Sequence, residues 1–295
     1  MKNTVKKLKN WRLQNQPVRN PDRLNLTALL CLVFLLALIV FIFAAPIDPT
    51  AAQRVDLHAR NRPPSFSNLQ PLTSNLCLLG TDPLGRSVLP LLVLGARNSL
   101  TIAFSVAIFS SIIGIIVGLF AGFYGGWFDN LTMRVLDFFT MLPTFMVVVM
   151  LLRVLGFGLF SVAAVFIAFG WVGMARQVRM VMLSQRALEY VAASKTLGTP
   201  NILIIFREIL PNVSSFIIVN FILVTASTIG IETSLTMLGF GLPLTTPSLG
   251  HLIAWAMDPL SMQNRPWQWL PAAVLMLVLV LCINYLGQVL RKNSP

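Results

Sequence analysis

The chain has 295 residues, of which 56% are hydrophobic and only 11% are charged. A soluble domain carries roughly 25% charged residues, so this composition excludes a soluble globular protein and indicates a membrane protein with little mass outside the bilayer. The net charge of +12 lies in short segments between apolar runs, which indicates contact with anionic lipid and argues against a nucleic-acid partner.

Stretches without charged residues predict six membrane spans, because a helix needs about 20 mostly apolar residues to cross a bilayer. The uncharged gaps run between Arg23 and Asp48, Arg97 and Asp129, Asp137 and Arg153, Arg153 and Arg176, Glu208 and Glu232, and Arg265 and Arg291. The third gap is short and contains Pro143, so it spans only if its flanking charges reach the two membrane surfaces. Gly156 and Gly158 are then predicted to form the turn into the fourth span.

The uncharged stretch 233–257 is not predicted to span, because its glycines and prolines would break a lipid-facing helix. A loop, or a broken segment covered by protein, is expected there. The spans divide the chain into a cytoplasmic tail (1–25), a first transmembrane anchor (26–45), an extracytoplasmic loop (46–97) and a core of five spans (98–291) with a cytoplasmic segment at 180–211.

The basic residues predict the orientation of these spans. With a cytoplasmic N-terminus, 15 lysines and arginines fall on the cytoplasmic side and 7 on the other, as the positive-inside rule requires. The C-terminus is then cytoplasmic as well. The first apolar run is longer than the 7–15 residues of a signal-peptide core, so it is predicted to remain as an uncleaved anchor.

Two segments near the second span contain residues that lipid solubility does not explain. In the first, LGTDPLGRS at 79–87, two glycines and Asp-Pro predict a specific turn, and Asp82 and Arg86 are spaced to pair on one helical turn; an ordinary outer loop is the alternative. The same segment continues with GARNSL at 95–100, where Ser99 is predicted to cap the second span.

The second segment places small residues on one helix face, which allows another helix to approach closely: Gly114, Gly118 and Gly122. A polar cytoplasmic corner, DNLTMRVLD at 129–137, follows.

The segment 176–211 is amphipathic and too long for a simple turn between bundled helices. Gly198 and Pro200 predict a break after a short helix, and Pro211 is predicted to end the segment at the membrane. A short helix, a break and a second helix form a shape that can dock in a groove of a partner. A helix lying on the lipid surface is the alternative.

A further unusual segment begins at the end of the fifth span, with ETSLTMLGFGLP at 232–243. Glu232 is costly at the edge of a span unless it is paired or in water. Trp267 and Trp269 are placed for an interfacial belt before the sixth span.

Together these segments resemble the C-type permease subunit of the oligopeptide, dipeptide and nickel class of ABC importers. The resemblance covers residues 78–291 and rests on the combination of LGTDPLGRS, GARNSL, AGFYGGxxD, MRVLDFFxxLP, EYVAASKTLG, ILPN and ETSLTMLGFGLP. It implies an all-α polytopic transmembrane bundle of the type I importer fold, acting as a non-catalytic translocation subunit of the bacterial inner membrane. Di- or oligopeptides are the expected solutes, and nickel or a metal chelate is the alternative.

The resemblance also implies partners. These are a homologous B-type permease, two ABC ATPases that bind ATP and magnesium, and an extracytoplasmic solute-binding protein, in addition to membrane lipid. No cofactor and no metal are expected on this chain. The implied ATPase-coupling residues are Glu189, Tyr190, Ala192, Ala193, Gly198 and Pro211, and the implied outer entrance motif comprises Gly80, Asp82, Gly85 and Arg86.

The chain departs from the family pattern at several positions. The usual Glu-Ala-Ala of the coupling motif is Ala192-Ala193-Ser194, and Glu189, one helical turn earlier, is a candidate substitute for the missing acid. A usual tryptophan is Leu249, and the usual acids after Gly-Arg and near the C-terminus are Ser87 and Gln288.

Two other classes of protein fit the sequence less well. A self-contained enzyme is disfavoured, because the two histidines form no HExxH motif and the sequence has no GxxxxGK[ST] phosphate-binding loop. The cysteines, Cys31, Cys77 and Cys282, are too scattered for a disulfide framework or a metal site. A secondary transporter is the second alternative; such proteins place ionisable residues at mid-bilayer within inverted repeats, whereas here the charges cluster at span ends.

Overall fold

The computed structural model describes residues 26–64 and 77–293, so the predicted cytoplasmic tail lies outside the described residues. Within these ranges the secondary structure is helical, with one isolated bridge between Thr81 and Ser87, which confirms the all-α class. The helices of six residues or more are α1 Leu26–Ala44, α2 Val88–Tyr124, α3 Gly126–Met141, α4 Thr144–Leu155, α5 Leu159–Arg186, α6 Glu189–Thr196, α7 Asn201–Met237, α8 Leu249–Ala254, α9 Pro259–Asn264 and α10 Leu270–Asn293. Short helical turns lie in the connections, at Pro49–Ala52, Leu57–Ala59, Cys77–Leu79, Trp255–Met257 and Pro266–Gln268.

Five of these helices are long and apolar enough to cross a membrane: α1, α2, α5, α7 and α10. The third predicted span, between Asp137 and Arg153, is not one helix. It is divided between α3 and α4, which meet at 82°. Pro143 causes the break, because its ring disfavours a helical conformation at Leu142, which is extended with ψ 136°.

The bent pair nevertheless provides a membrane crossing. Gly114, Gly118 and Gly122 of α2 approach residues of α5 in ascending order, from Met174 to Met182, so the two helices run in the same direction. Parallel neighbours require the chain to return across the bilayer between them, and the intervening segment is α3 with α4. The bent pair is therefore the third of six crossings.

Contacts between α1 and α10 agree with an even number of crossings. Thr27, in the first turn of α1, hydrogen-bonds through its hydroxyl to that of Tyr285 near the C-terminal end of α10, at 2.6 Å. The two helices are thus antiparallel, and the beginning of α1 lies on the same side as the end of α10. Further along, Gly287 of α10 packs against Ile222 and Leu223 of α7.

The start of the second span predicted from the uncharged gaps was wrong. α2 begins at Val88, so the predicted loop 46–97 ends inside this helix, and Arg97 is a helical residue. Its guanidinium donates to the carbonyl oxygens of Ile42 at 2.8 Å and Ala45 at 3.0 Å, where the last carbonyls of α1 lack helical partners. A charged side chain inside a helix is stabilised here by the end of another helix.

Ser99 does not cap the second span, because Ser87 occupies the N-cap position of α2. Ser99 is instead completely buried in the interior of the helix. The predicted turn at Gly156 and Gly158 is confirmed, since these residues end α4 and precede α5.

As predicted, the stretch 233–257 does not form a seventh span. α7 continues to Met237, a loop follows, and α8 occupies only Leu249–Ala254. Leu249, Gly250 and Leu252 are buried, so this short helix is covered by protein. Gly241 and Leu242 of the loop are buried as well, so this part of its backbone is also covered by protein.

Candidate functional site

The end of the bundle that contains α3, α6 and the last turns of α2 and α5 is fixed by ion pairs. Asp129 of α3 pairs with Arg179 of α5, with 2.6 Å between Oδ2 and Nη2, and Asp137 pairs with Arg176 at 2.9 Å. Arg186 donates to the Phe123 carbonyl oxygen at 2.9 Å, close to the C-terminal end of α2. The polar corner predicted at 129–137 is thus a set of contacts between α3 and α5.

The helix α6 lies at this end and stops at Gly198. Gly198 has φ +81°, and its N–H donates to the Lys195 carbonyl oxygen at 3.0 Å, while that of Thr199 donates to Ser194 at 3.1 Å. A residue with positive φ that closes a helix in this way is usually glycine. Pro200 then occupies the N-cap position of α7. The short helix, break and second helix predicted from the sequence are all present.

α6 presents one face to the bundle and one to its surroundings. Val191 is buried with Ile204, Ile205 and Ile209 of α7 in a shared apolar cluster. The residues that face outward include Glu189, Ala192, Ala193, Thr196 and Leu197. Leu197, at the tip, has 85% of its surface exposed. The Tyr190 hydroxyl lies 3.1 Å from Gln185 Oε1, so Tyr190 contacts the end of α5.

No helix ends at Pro211, and the place of this residue at the membrane surface stays a prediction. The helix α7 runs through Pro211. Residues Ile204–Ile209 form a π-helical turn, and Pro211 is the second residue of the α-helical stretch Leu210–Met237 that follows. A proline inside a regular α-helix would remove a hydrogen bond and clash with the preceding turn, whereas the wider π-turn accommodates it. Pro211 therefore lies inside α7, away from the exposed tip of α6.

Sequence reasoning missed one polar contact at this end. The Ser194 hydroxyl donates to Glu208 Oε2 at 2.7 Å, which joins α6 to the π-turn of α7. Glu208 is the one acidic residue between Glu189 and Glu232 in the sequence. Its isolation in an apolar segment was the available signal.

At the opposite end of the bundle, Glu232 lies in a fully buried cluster of hydroxyl groups. Thr236 Oγ1 lies 3.0 Å from Glu232 Oε1. Ser99, Thr233 and Ser248 are further polar neighbours of the carboxyl group, while Glu232 Oε2 and Thr233 Oγ1 have no hydrogen-bond partner among the described residues. These residues come from α2, α7 and the start of α8, so segments distant in the sequence meet at this acid. A buried carboxyl group requires such partners.

The same hydroxyl groups hold the backbone of the loop between α7 and α8. Thr236 Oγ1 accepts a hydrogen bond from the Leu242 N–H at 3.3 Å, and Ser99 Oγ accepts one from Leu249 at 3.4 Å. Asn98 adds a bond to the Pro247 carbonyl oxygen at 2.8 Å. Thr236, which bonds to Glu232, and Ser99 and Asn98 of α2 therefore attach this loop to the bundle.

The predicted entrance motif forms a tight turn beside this cluster. Asp82 is completely buried, and its carboxylate accepts bonds from the Arg86 backbone at 2.8 Å and from the Arg86 side chain at 2.7 Å. The predicted ion pair is present, but it closes a non-helical turn and does not lie on a helix. Gly80 and Gly85 have φ +75° and +77°, and a Cβ at Gly85 would lie only 1.7 Å from the Asp56 carbonyl oxygen.

A cavity of about 470 Å³ opens between α2, α4, α5 and α7. Its wall is mainly apolar and aromatic, with Phe145, Phe166 and Phe169, and the hydroxyl groups come from Thr144, Ser227 and Thr228. α7 supplies five of the lining residues: Val224, Ser227, Thr228, Ile231 and Leu235. Clusters of three or more His, Cys, Asp or Glu side chains able to hold a metal are absent from the described part of the chain.

Comparison with known proteins connects these features to one family. The family described as "Binding-protein-dependent transport system inner membrane component" matches residues 114–293. Two oligopeptide transport system permease proteins OppC, from Lactococcus lactis subsp. lactis (strain IL1403) and subsp. cremoris (strain SK11), are each 37% identical over 290 residues, which is 98% of this chain and 97% of each relative.

A third relative is the dipeptide transport system permease protein DppC of Lactococcus lactis subsp. cremoris (strain MG1363). It is 34% identical over 214 residues, covering 72% of this chain and 62% of that protein. With the membrane spans and motifs described above, these matches show that the chain belongs to the binding-protein-dependent transport system inner membrane components, the membrane permease subunits of ABC importers.

Proposed function

We propose that this chain and a second, homologous permease subunit form the path by which di- or oligopeptides cross the bacterial inner membrane. Two partner ATPases hydrolyse ATP, with its magnesium, and an extracytoplasmic binding protein delivers the peptide. The observation that carries the proposal is α6, a short helix whose exposed tip stands on a buried apolar base. Such a helix is suited to a groove on a partner.

The roles of individual residues follow from where they lie. The exposed residues Glu189, Ala192 and Ala193 contact the ATPase, Tyr190 supports them from the end of α5, and Gly198 sets the angle at which α6 projects. Pro211 contributes to the coupling from its position inside α7. At the outer end, the turn containing Asp82 and Arg86 and the cluster around Glu232 hold the loops that meet the binding protein.

The orientation that fits this function has both termini in the cytoplasm. The excess of basic residues on that side, 15 against 7, supports it, and so does the contact between the start of α1 and the end of α10. α6 then faces the cytoplasm, where ATP is available, and Glu232 lies near the outer surface.

Peptides are proposed as solutes because relatives that align with almost the whole chain are named for oligopeptide transport. The cavity beside α7 provides an apolar and aromatic wall with scattered hydroxyl groups. A wall of this kind accommodates varied side chains without selecting one strongly charged ligand.

Purification of the tagged chain from its native membrane tests the proposal. We expect a second permease and two ATPases to co-purify, and ATP hydrolysis to rise when peptide-loaded binding protein is added. Stimulation by a nickel-chelate-loaded binding protein, without stimulation by peptide, would replace the peptide assignment. Purification of the chain without any ATPase would contradict the proposed coupling.

A further inference from the structure

A side-chain hydrogen bond spans the break between the two helices at the proposed coupling site. Ser194 lies in α6 and Glu208 in the π-turn of α7, and their side chains meet at 2.7 Å. The backbone between them passes through the turn at Gly198, where φ is +81°. The hydrogen bond therefore joins α6 directly to α7, in addition to the backbone connection through Gly198.

The apolar contacts of α6 with α7 are less directional, and the hydrogen bond from the Tyr190 hydroxyl to Gln185 Oε1 at 3.1 Å connects α6 to α5 instead. Val191 packs on Ile204, Ile205 and Ile209, and apolar contacts of this kind allow small displacements because they have no preferred direction. The Lys195 ammonium lies 4.8 Å from the centre of the Phe123 ring, which connects α6 to α2. The bond from Ser194 to a carboxylate is short and charge-assisted, and bonds of this type constrain geometry more strongly.

The residue that accepts this bond lies on the helix that forms much of the cavity wall. From Glu208, α7 continues without interruption to Ser227, Thr228 and Ile231, which line the cavity. A displacement of α6 that is carried through Glu208 thus reaches the wall along one helix. Among the described acids of this region, Glu208 faces α6, whereas Glu189 faces outward from it.

We propose that Ser194 and Glu208 are positioning residues that fasten the coupling helix to α7, so that movement of α6 by the ATPase is transmitted to the cavity wall. The family pattern places an acid on α6 itself, where this chain has Ala192. Here Glu189 of α6 faces outward, and a second acid, Glu208 of α7, is joined to α6 through the Ser194 hydroxyl group. This inference rests on the proposed function, because it requires α6 to dock on an ATPase.

The test uses the whole complex and compares Ser194→Ala with Ser184→Ala. Ser184 lies at the same end of the bundle, but its hydroxyl bonds only within α5, to the Val181 carbonyl oxygen at 2.7 Å. Two quantities are measured: the amount of ATPase that co-purifies, and the ratio of ATP hydrolysis with and without peptide-loaded binding protein. For Ser194→Ala we expect normal co-purification and a ratio reduced about tenfold, on the scale of one hydrogen bond to a charged group. Ser184→Ala should behave as the unmodified protein.

Variants of Glu208 separate transmission from folding. Glu208→Gln keeps an oxygen that accepts the Ser194 hydroxyl, so it should retain most of the stimulation, whereas Glu208→Leu should lose it. The double variant Ser194→Ala with Glu208→Leu should be no worse than either single variant, because both changes remove the same bond.

Three results would overturn the inference: full stimulation in Ser194→Ala, additive losses in the double variant, or loss of ATPase from the purified Ser194→Ala complex. The last result would show that the pair supports docking and not transmission. Failure of the proposed function has a different signature, since ATPase would then be missing from the unmodified complex too, and the inference would fall with it.

Discussion

Gly198 lies in open space, and a Cβ added there would meet no heavy atom within 4 Å. The need for glycine comes from the backbone alone, because φ +81° is a conformation that residues with a side chain resist. Gly118 is the opposite case: a Cβ there would lie 2.6 Å from the Ala175 carbonyl oxygen. The two glycines thus allow separate tests of docking geometry and of helix packing.

Gly198→Val should abolish transport while the protein still inserts and assembles. The substitution strains the turn by about 1–3 kcal/mol, and the strain falls on α6 without affecting the spans. Gly198→Asn is the matched control, because asparagine tolerates positive φ better than other side chains, and it should retain more transport. Membrane abundance and peptide uptake are measured in the same cells; full uptake with valine would contradict the role given to the break.

Glu232→Leu should loosen the loop between α7 and α8. Removal of the Glu232 carboxyl group leaves the buried Thr236 hydroxyl without its acceptor, which destabilises the cluster by about 1–3 kcal/mol. Glu232→Gln keeps an acceptor and should have a smaller effect. The measurement is proteolysis of the loop in membranes, with Glu189→Gln as an exposed control. Equal protection of the loop in the leucine variant and the unmodified protein would argue against Glu232 as its anchor.

At the scale of helices, α6 and the start of α7 could be predicted because Gly198 and Pro200 act through their own backbone. The start of α2 could not be predicted from uncharged gaps. Arg97 lies within that helix because its guanidinium reaches the last carbonyl groups of α1, a contact between segments far apart in the sequence. The 82° bend between α3 and α4 was only partly foreseeable from Pro143, since a proline indicates a break without its angle.

The candidate site was predictable to a similar extent. Motifs identified the segments, but not the residues that join them. Ser194 and Glu208 meet only because the turn at Gly198 brings α6 back along α7, and the π-turn changes which side chains face α6. The convergence of Ser99 on Glu232 likewise depends on the packing of α2 against α7. Each of these contacts is tertiary, so the local pattern can single out an isolated acid such as Glu208 or Glu232 but not its partner.

The packing of α2 on α5 gives the clearest prediction for a helix pair. Gly118→Leu should lower the yield and thermal stability of the purified protein, because crowding in a packed interface costs about 1–3 kcal/mol. Gly230→Leu is the control, since a Cβ at Gly230 meets no heavy atom within 4 Å. Stability is followed by thermal unfolding in detergent. An unchanged midpoint for Gly118→Leu would show that α2 and α5 are not in close contact in the membrane.

At the scale of the whole molecule, the six crossings predict which surfaces are accessible from each side. After replacement of the native cysteines by serine, His58→Cys should react with an impermeant thiol reagent added outside intact cells. Lys195→Cys should react only after the cytoplasmic side is opened, because α6 lies at the opposite end of the bundle. Labelling at position 195 from outside would reverse the proposed orientation.

The central claim is that this chain forms a peptide path driven by ATP from partner subunits. Uptake of a labelled oligopeptide is the most direct test. It is measured in proteoliposomes that contain the purified complex, with peptide-loaded binding protein on the side opposite α6. We expect uptake only when ATP and magnesium are present on the side of α6, and no uptake driven by a proton or sodium gradient alone. Gradient-driven uptake without ATP would identify a secondary transporter and contradict the account.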